Sequence, residues 1–143
     1  MFPYEFQKER RVSADRNAIG AYYVVADDDC VPPTDEWLDK AIDIMERHPD
    51  FAILSLWPEN AVIQKWTPEG YEAFHDEEVT EHIDVGGIRV CRKGVITEWP
   101  EQKKATYDRE HCQAIRDKGF RVGYYRQIMM WHSGEGKSSL QRN

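Results

Sequence analysis

The stretch YYVVADDDCVPP, residues 22–33, decides the fold, because a short apolar segment leads directly into three carboxylates and a proline pair. The apolar residues Tyr22 to Ala26 have the length and composition of a strand. Adjacent carboxylates repel one another unless a cation or solvent screens their charge. The pattern therefore predicts either a metal site or a solvated acidic turn at the end of this strand, formed by Asp27, Asp28 and Asp29.

A helix and a second strand follow the acidic triplet. Thr34 is a suitable N-cap, and the helix should end near Arg47 because Pro49 disfavours helical geometry at the residue before it. The apolar run from Phe51 to Trp57 has the length of a buried strand. Two strands joined by a helix predict a parallel pair with a right-handed crossover.

The second half of the chain repeats these signals after a long charged excursion, residues 58–84. A glycine pair precedes a short strand and the turn at residues 92–94. A helix is predicted from Tyr107 to Lys118, closed by Gly119. Two further strands are predicted, at residues 120–125 and 128–131.

Length and composition predict a single domain. The chain has 143 residues, of which 41% are hydrophobic and 12% aromatic. We expect residues 1–15 to form an arm or loop and residues 133–143 a mobile tail. The predicted architecture is an α/β domain with a mostly parallel central sheet, flanking helices and one short antiparallel strand.

Charge and cysteine content limit the partners and the compartment. A net charge of -7 disfavours broad binding to nucleic acid. The three cysteines are widely separated and form no C-x-x-C pair, which predicts reduced thiols in a cytoplasmic protein. No apolar run approaches the roughly 20 residues needed to cross a bilayer, so any membrane contact should be peripheral.

Four segments resemble, in order and spacing, the catalytic half of inverting glycosyltransferases of the GT-A fold, family 2 type. ADDD (26–29), before a proline turn and a helix, resembles the D-x-D motif. VGGIRVCRKGVI (85–96) is similar to the small-residue segment, strand and basic turn that lie under the acceptor. YDREHCQAIRDKGFRVGYY (107–125) is similar to the E-D motif, helix, glycine and strand, and MWHSG (130–134) places a histidine after a strand. The resemblance covers about residues 16–139.

The resemblance implies metal-dependent transfer of a sugar, with inversion, from a UDP- or GDP-sugar to an acceptor hydroxyl. A divalent cation, Mn²⁺ or Mg²⁺, would stabilise the departing nucleoside diphosphate. Asp29 is the first choice for its ligand and Asp28 the alternative. A nitrogen ligand from His132 would suit manganese slightly better than magnesium.

The other implied roles concern the base and the two substrates. Asp108 is the implied general base, with Glu110 as a fallback. Because a carboxylate at the start of a helix is ordinarily a weak base, Asp108 would need a wall of neighbours, for which Trp99, Tyr107 and Trp131 are candidates. Resemblance also implies donor contacts from Arg16, Asn17, Asp27 and Asp28, and acceptor contacts from Gly86, Gly87, Trp99 and Tyr107.

The sequence also departs from the family. The E-D pair is Tyr107-Asp108 here, so the first acidic residue is missing. The matching region begins after the part that holds the nucleotide base in these enzymes, and too few residues separate Asn17 from Asp27 for the customary helix. Three interpretations stay open: a fragment that lacks this N-terminal portion, a minimal relative, or a remnant without activity. A homo-oligomer is also compatible with the sequence.

Two other classes of function fit the same residues. A metal-dependent hydrolase would use the acidic and histidine cluster at His75, Asp76, Glu77, Glu78, Glu81, His82 and Asp84, although its spacing matches no known hydrolase motif. A non-catalytic module would hold a saccharide or another protein on the Trp-rich face.

Overall fold

The computed structural model describes residues 4–33, 36–59, 61, 65–67, 69–72, 78–95 and 107–132. Within these ranges the helices are α1 (Tyr4–Asn17), α2 (Trp37–Arg47) and α3 (Tyr107–Asp117). The strands are β1 (Tyr22–Ala26), β2 (Cys30–Val31), β3 (Phe51–Pro58), β4 (Lys65–Thr67), β5 (Gly70–Glu72), β6 (Val79–Glu81), β7 (Ile88–Arg92) and β8 (Arg121–His132).

Most of these strands form one mixed sheet with the order β1-β7-β3-β8-β2, and β6 also pairs with β8. Only β3 and β8 run parallel, and every other pairing within this sheet is antiparallel. The α/β class is confirmed, but the expectation of a mostly parallel sheet was wrong. Strand β7 lies between β1 and β3 and runs opposite to both, so these two strands share a direction without being neighbours.

The sheet separates two apolar cores. On one face α3 packs through Cys112 and Ile115 against Ile53 of β3, and Val12 of α1 joins the same cluster. The other face carries α2, whose Ala41, Ile44 and Met45 pack with Leu54 and Tyr125. Strand β3 is buried along its whole length because both faces of the sheet are covered by helices.

Several local expectations are confirmed. Helix α3 ends before Gly119, which has a φ of 91° and so adopts the left-handed conformation that glycine tolerates. Helix α2 and strands β1, β3 and β7 also lie where the sequence predicted them. Helix α2 has Glu36 as its N-cap, whereas the sequence predicted Thr34. Thr34, the predicted acceptor contact Trp99 and the tail at residues 133–143 lie outside the described residues.

Two local expectations were wrong. The segment expected to be an arm or loop forms helix α1, which begins at Tyr4 and packs on β1 and α3. The two strands expected at 120–125 and 128–131 are one strand, β8, whose register against β3 shifts between Ser55 and Trp57. An irregularity absorbs the extra residues of β8, so the strand continues where the apolar pattern is interrupted.

No helix in the described part of the chain is long and apolar enough to span a membrane.

Candidate functional site

The candidate site lies at one edge of the sheet, where β1, β3 and β8 end and β7 begins. Ala26, the last residue of β1, is paired with Ile88, the first residue of β7. The short strand β2 then brings Cys30 opposite His132, the last residue of β8. The acidic triplet, the glycine pair and the histidine therefore meet at the carboxyl ends of three strands, a place where α/β proteins commonly bind ligands.

Asp29, Cys30 and His132 bring their side chains together at this edge. His132 Nε2 lies 2.7 Å from Asp29 Oδ2, and the Cys30 thiol donates to Asp29 Oδ1 over 3.6 Å. One potential ligand atom from each residue lies within 4.8 Å of the other two, and no other trio in the described ranges does so. Burial and the nearby carboxylates of Asp29 and Asp27 raise the pKa of Cys30 to about 12.

This donor set fits a divalent cation. Asp29 and His132 are half-buried, with 35% and 15% of their side chains exposed, so an ion can reach them from solvent. Carboxylate oxygen and imidazole nitrogen are both ligands of Mn²⁺ and Zn²⁺, whereas a thiol is a soft ligand that Mg²⁺ does not favour. Asp28, the alternative ligand, is exposed and does not belong to the trio.

Asp27 is exposed but hydrogen-bonded to the residues at the start of β7. Its Oδ2 accepts a hydrogen bond from the Gly87 backbone N–H at 3.1 Å, and its own N–H donates to Gly87 O. Its Oδ1 accepts from Arg89 Nη2, also at 3.1 Å. The first carboxylate of the triplet is therefore held by β7.

Asp108 lies beside Asp27, linked to it by a buried arginine. Asp108 Oδ1 accepts from Arg89 Nη1 at 2.8 Å and from Arg11 Nη2 at 2.7 Å. Only 1% of the Arg89 side chain is exposed. Burial acts to lower the pKa of Arg89, but the carboxylates of Asp108 and Asp27 outweigh it and raise the pKa. Arg89 therefore stays charged and holds the two carboxylates in a fixed relation.

Arg11 extends this network to a buried histidine. Its Nη1 donates to His111 Nδ1 at 2.7 Å. Burial, together with the positive charges of Arg11 and Arg89, holds the pKa of His111 well below its usual value. His111 is therefore neutral, and because Nδ1 accepts, its proton resides on Nε2.

Gly86 and Gly87 allow two groups of side chains to lie close together: the trio of Asp29, Cys30 and His132, and the network around Arg89. A Cβ at Gly86 would lie 3.4 Å from Asp108 Oδ2. Gly87 has a φ of 85°, and a Cβ there would overlap the Met130 methyl group and lie 3.7 Å from Cys30 Sγ. Ser55 Oγ donates to the carbonyl of Gly86, which anchors the pair to β3.

Four other predicted site residues lie on helices α1 and α3. Arg16 and Asn17 are exposed at the end of α1, and Asn17 Nδ2 donates to Ser13 of the same helix. Tyr107 begins α3 next to Asp108, but its side chain is outside the described part of the structure. Glu110, the fallback base, is buried with 2% exposed, which limits its access to an acceptor.

The described members of the alternative hydrolase cluster pair with cations or with each other. Glu78 contacts Arg47 and His48, and Glu81 accepts from Arg121. Asp84 accepts from Arg109 and lies near His82, and these contacts lower the pKa of Asp84. His75, Asp76 and Glu77 lie outside the described residues.

Sequence reasoning missed Arg11, Arg89, His111 and the proximity of Cys30 to Asp29 and His132. A signal existed for Arg89, which interrupts the apolar strand pattern IRVC, because a charge at a buried strand position requires a partner. Nothing local marked Arg11, which meets Asp108 from 97 residues away.

Two kinds of chemistry are brought together at this edge. One group of side chains offers oxygen, nitrogen and sulfur to a cation, and the other holds two carboxylates against guanidinium groups. A carboxylate fixed by arginines is suited to orient a hydroxyl group. No protein-family model matches this sequence, and a comparison with curated proteins finds no match.

Proposed function

We propose that this protein transfers a sugar from a nucleotide-sugar donor to an acceptor hydroxyl, with inversion and with a divalent cation. The observation that carries the proposal is the placement of a cation-binding trio and an arginine-held carboxylate on either side of Gly86 and Gly87. Single displacement needs both elements, one where the diphosphate leaves and one where the hydroxyl attacks.

Asp29 and His132 would hold the cation, with Asp27 or Asp28 directed to the donor. When bound, the cation neutralises charge on the departing diphosphate. Asp27 is oriented by Gly87 N–H and Arg89, so it is poised at the boundary between donor and acceptor. This part of the proposal is supported by the fit of the donor atoms and by their exposure to solvent.

Asp108 would take the proton from the acceptor hydroxyl. Both arginine hydrogen bonds are accepted by Oδ1, whereas Oδ2 is the oxygen directed toward Gly86. With 37% of its side chain exposed, Asp108 is reachable by a substrate. The absence of a side chain at Gly86 leaves room for an acceptor beside Oδ2, which is the reason for proposing acceptor contacts at the glycine pair.

The test replaces Asp29 and Asp108 separately by asparagine. Asp29→Asn should abolish Mn²⁺-dependent binding of UDP or GDP, measured by titration calorimetry. Asp108→Asn should leave that binding intact and lower turnover by about 10²- to 10⁴-fold, the usual contribution of a general base. Asp43→Asn, at an exposed carboxylate of α2, is the matched control and should behave as the wild type.

Circular dichroism should first show that each variant is folded, since Asp108 also pairs with two arginines. Wild-type binding and turnover in both variants would refute the assignment. Nucleotide binding that needs no metal would refute the cation-binding role of the trio but not the role of Asp108.

A second candidate is a module that holds a saccharide without transferring it. Trp131 is 56% exposed and pairs across the strands with the exposed Val31, forming an apolar surface next to His132. Flat aromatic faces of this kind stack on sugar rings. Saccharide binding that needs neither nucleotide nor metal and is lost in Trp131→Ala would favour this candidate.

A further inference from the structure

We propose that the trio of Asp29, Cys30 and His132 is a three-ligand site for a thiophilic divalent cation, with Zn²⁺ preferred over Mn²⁺ and Mg²⁺. The proposal shares its site with the proposed function and deepens it by naming the class of cation. It can be tested without any transferase activity.

The ligand atoms of the trio lie close enough together for a small tetrahedral ion to be reached by modest side-chain rotations. Zinc bonds of about 2.3 Å to sulfur and 2.0–2.1 Å to nitrogen or oxygen place tetrahedral ligands about 3.4–3.6 Å apart. Cys30 Sγ and Asp29 Oδ1 are already 3.6 Å apart, and Asp29 Oδ2 and His132 Nε2 are 2.7 Å apart. Small rotations of these side chains would equalise the separations, because all the ligand atoms lie within 4.8 Å.

The backbone brings the ligands together from two strands. Cys30 and His132 are directly paired residues of β2 and β8, and Asp29 immediately precedes β2. Antiparallel pairing therefore sets the separation of the sulfur and nitrogen donors before any metal arrives. Preorganisation of this kind reduces the cost of ordering ligands on binding.

The identity of the donors determines the preferred metal. Mg²⁺ requires hard oxygen ligands in nearly octahedral geometry, and Mn²⁺ binds most weakly of the first-row divalent ions. One sulfur, one nitrogen and one oxygen instead suit Zn²⁺, which would bind the Cys30 thiolate as the thiol releases its proton to solvent. Co²⁺ can replace Zn²⁺ as a spectroscopic probe. Three protein ligands also leave a fourth position open, as in catalytic zinc sites.

Cys30 is distinct from the other two cysteines. Cys91 and Cys112 are fully buried in the core, and burial raises the pKa of both thiols. Cys30 is only partly buried and adjoins a carboxylate and an imidazole. Cys91→Ala is therefore a matched control that removes a thiol without touching the site.

The experiment measures Co²⁺ absorption and Zn²⁺ affinity on the full chain. Wild-type protein loaded with Co²⁺ should show a thiolate-to-metal charge-transfer band in the near ultraviolet, and Cys91→Ala should retain it. Cys30→Ser should lose the band and weaken Zn²⁺ binding at least about tenfold, the lower end of the losses caused even by outer-sphere changes. Mn²⁺ binding should change much less in Cys30→Ser.

Three results would overturn the inference: no charge-transfer band in the wild type, unchanged Zn²⁺ affinity in Cys30→Ser, or wild-type affinity for Mn²⁺ equal to that for Zn²⁺. Failure of the proposed function gives a different pattern. If the protein binds Zn²⁺ through Cys30 but binds no nucleotide with any metal, the site stands and the transferase proposal falls. If Mn²⁺ supports nucleotide binding and Cys30→Ser has no effect, the reverse holds.

Discussion

The two halves of the candidate site differ in how their carboxylates are compensated. In the half around Arg89, Asp27 and Asp108 accept hydrogen bonds from a buried guanidinium group. In the half around His132, Asp29 meets an imidazole and a thiol. The first half supplies its own fixed cations, whereas the second groups oxygen, sulfur and nitrogen atoms that fit the proposed exchangeable cation.

The difference has an energetic basis. Burying a guanidinium group costs desolvation energy and is tolerated only when carboxylates pair with it. The Arg89 half therefore contributes to the stability of the fold as well as to the candidate site. Asp29 and His132 remain partly exposed, which allows an ion to enter and leave. Gly86 and Gly87 lie between the halves and allow them to approach.

The largest effect on stability is expected from removing the buried guanidinium group of Arg89. Arg89→Met should lower the free energy of unfolding by about 2–4 kcal/mol, toward the lower part of the range for breaking a buried ion pair. The value is reduced because Asp27 and Asp108 are 47% and 37% exposed and solvent screens them. Urea denaturation measures this change in the free energy of unfolding.

Arg109→Met is the control for this change, since Arg109 pairs with one carboxylate at the surface. It should cost less than about 1 kcal/mol. Equal losses in the two variants would mean that the Arg89 network is not the structural half of the site.

A smaller effect is expected where the halves meet. Gly87→Ala should cost about 2 kcal/mol, because a non-glycine residue at positive φ is strained by about 1–2 kcal/mol and the new methyl group must displace Met130. Gly20→Ala meets no atom within 4 Å and should stay within about 0.5 kcal/mol of the wild type. Similar behaviour of both variants in urea would show that close approach at Gly87 is dispensable.

The third effect is a pH dependence of the free energy of unfolding that arises from His111, in the Arg89 half of the site. The pKa of His111 is held below the unfolded value of about 6.5, so the unfolded chain takes up a proton first as the pH falls. Stability should therefore decrease below about pH 6.5, with a slope of up to about 1.4 kcal/mol per pH unit. His111→Asn, which keeps an acceptor for Arg11, should flatten this part of the curve.

Carboxylates contribute in a separate range. Asp84 and Glu78 have pKa values lowered from 3.8 and 4.5, so their stabilisation is present at higher pH and is lost only as the pH falls through and below those values. Unfolding measured between pH 8 and 5 therefore separates His111 from them. A wild-type slope in His111→Asn would contradict the assignment.

Several local elements were predictable, and so were two of the three members of the trio. The apolar run of β1, the Pro49 boundary of α2 and the Gly119 end of α3 are encoded by neighbouring residues. Asp29 and His132 were chosen from the resemblance to the D-x-D motif and to a histidine that follows a strand, and the structure brings them together. Arg16 and Asn17 were chosen in α1, but Arg11 of that helix is the residue that reaches Asp108. Segment 4–15 carries little apolar periodicity, so its helix and its buried face could not be recognised.

The sequence by itself determined the positions of β1, α2, β3, β7 and α3 and the acidic turn that follows β1, because these depend on residues within a few positions of one another. Only the tertiary structure decided that β7 separates β1 from β3, that Arg89 joins Asp27 to Asp108, and that Cys30 faces His132. Those contacts join residues 19 to 102 positions apart in the chain. Their geometry follows from which strands pair and in which register, and register is specified by the burial of whole faces rather than by any local pattern.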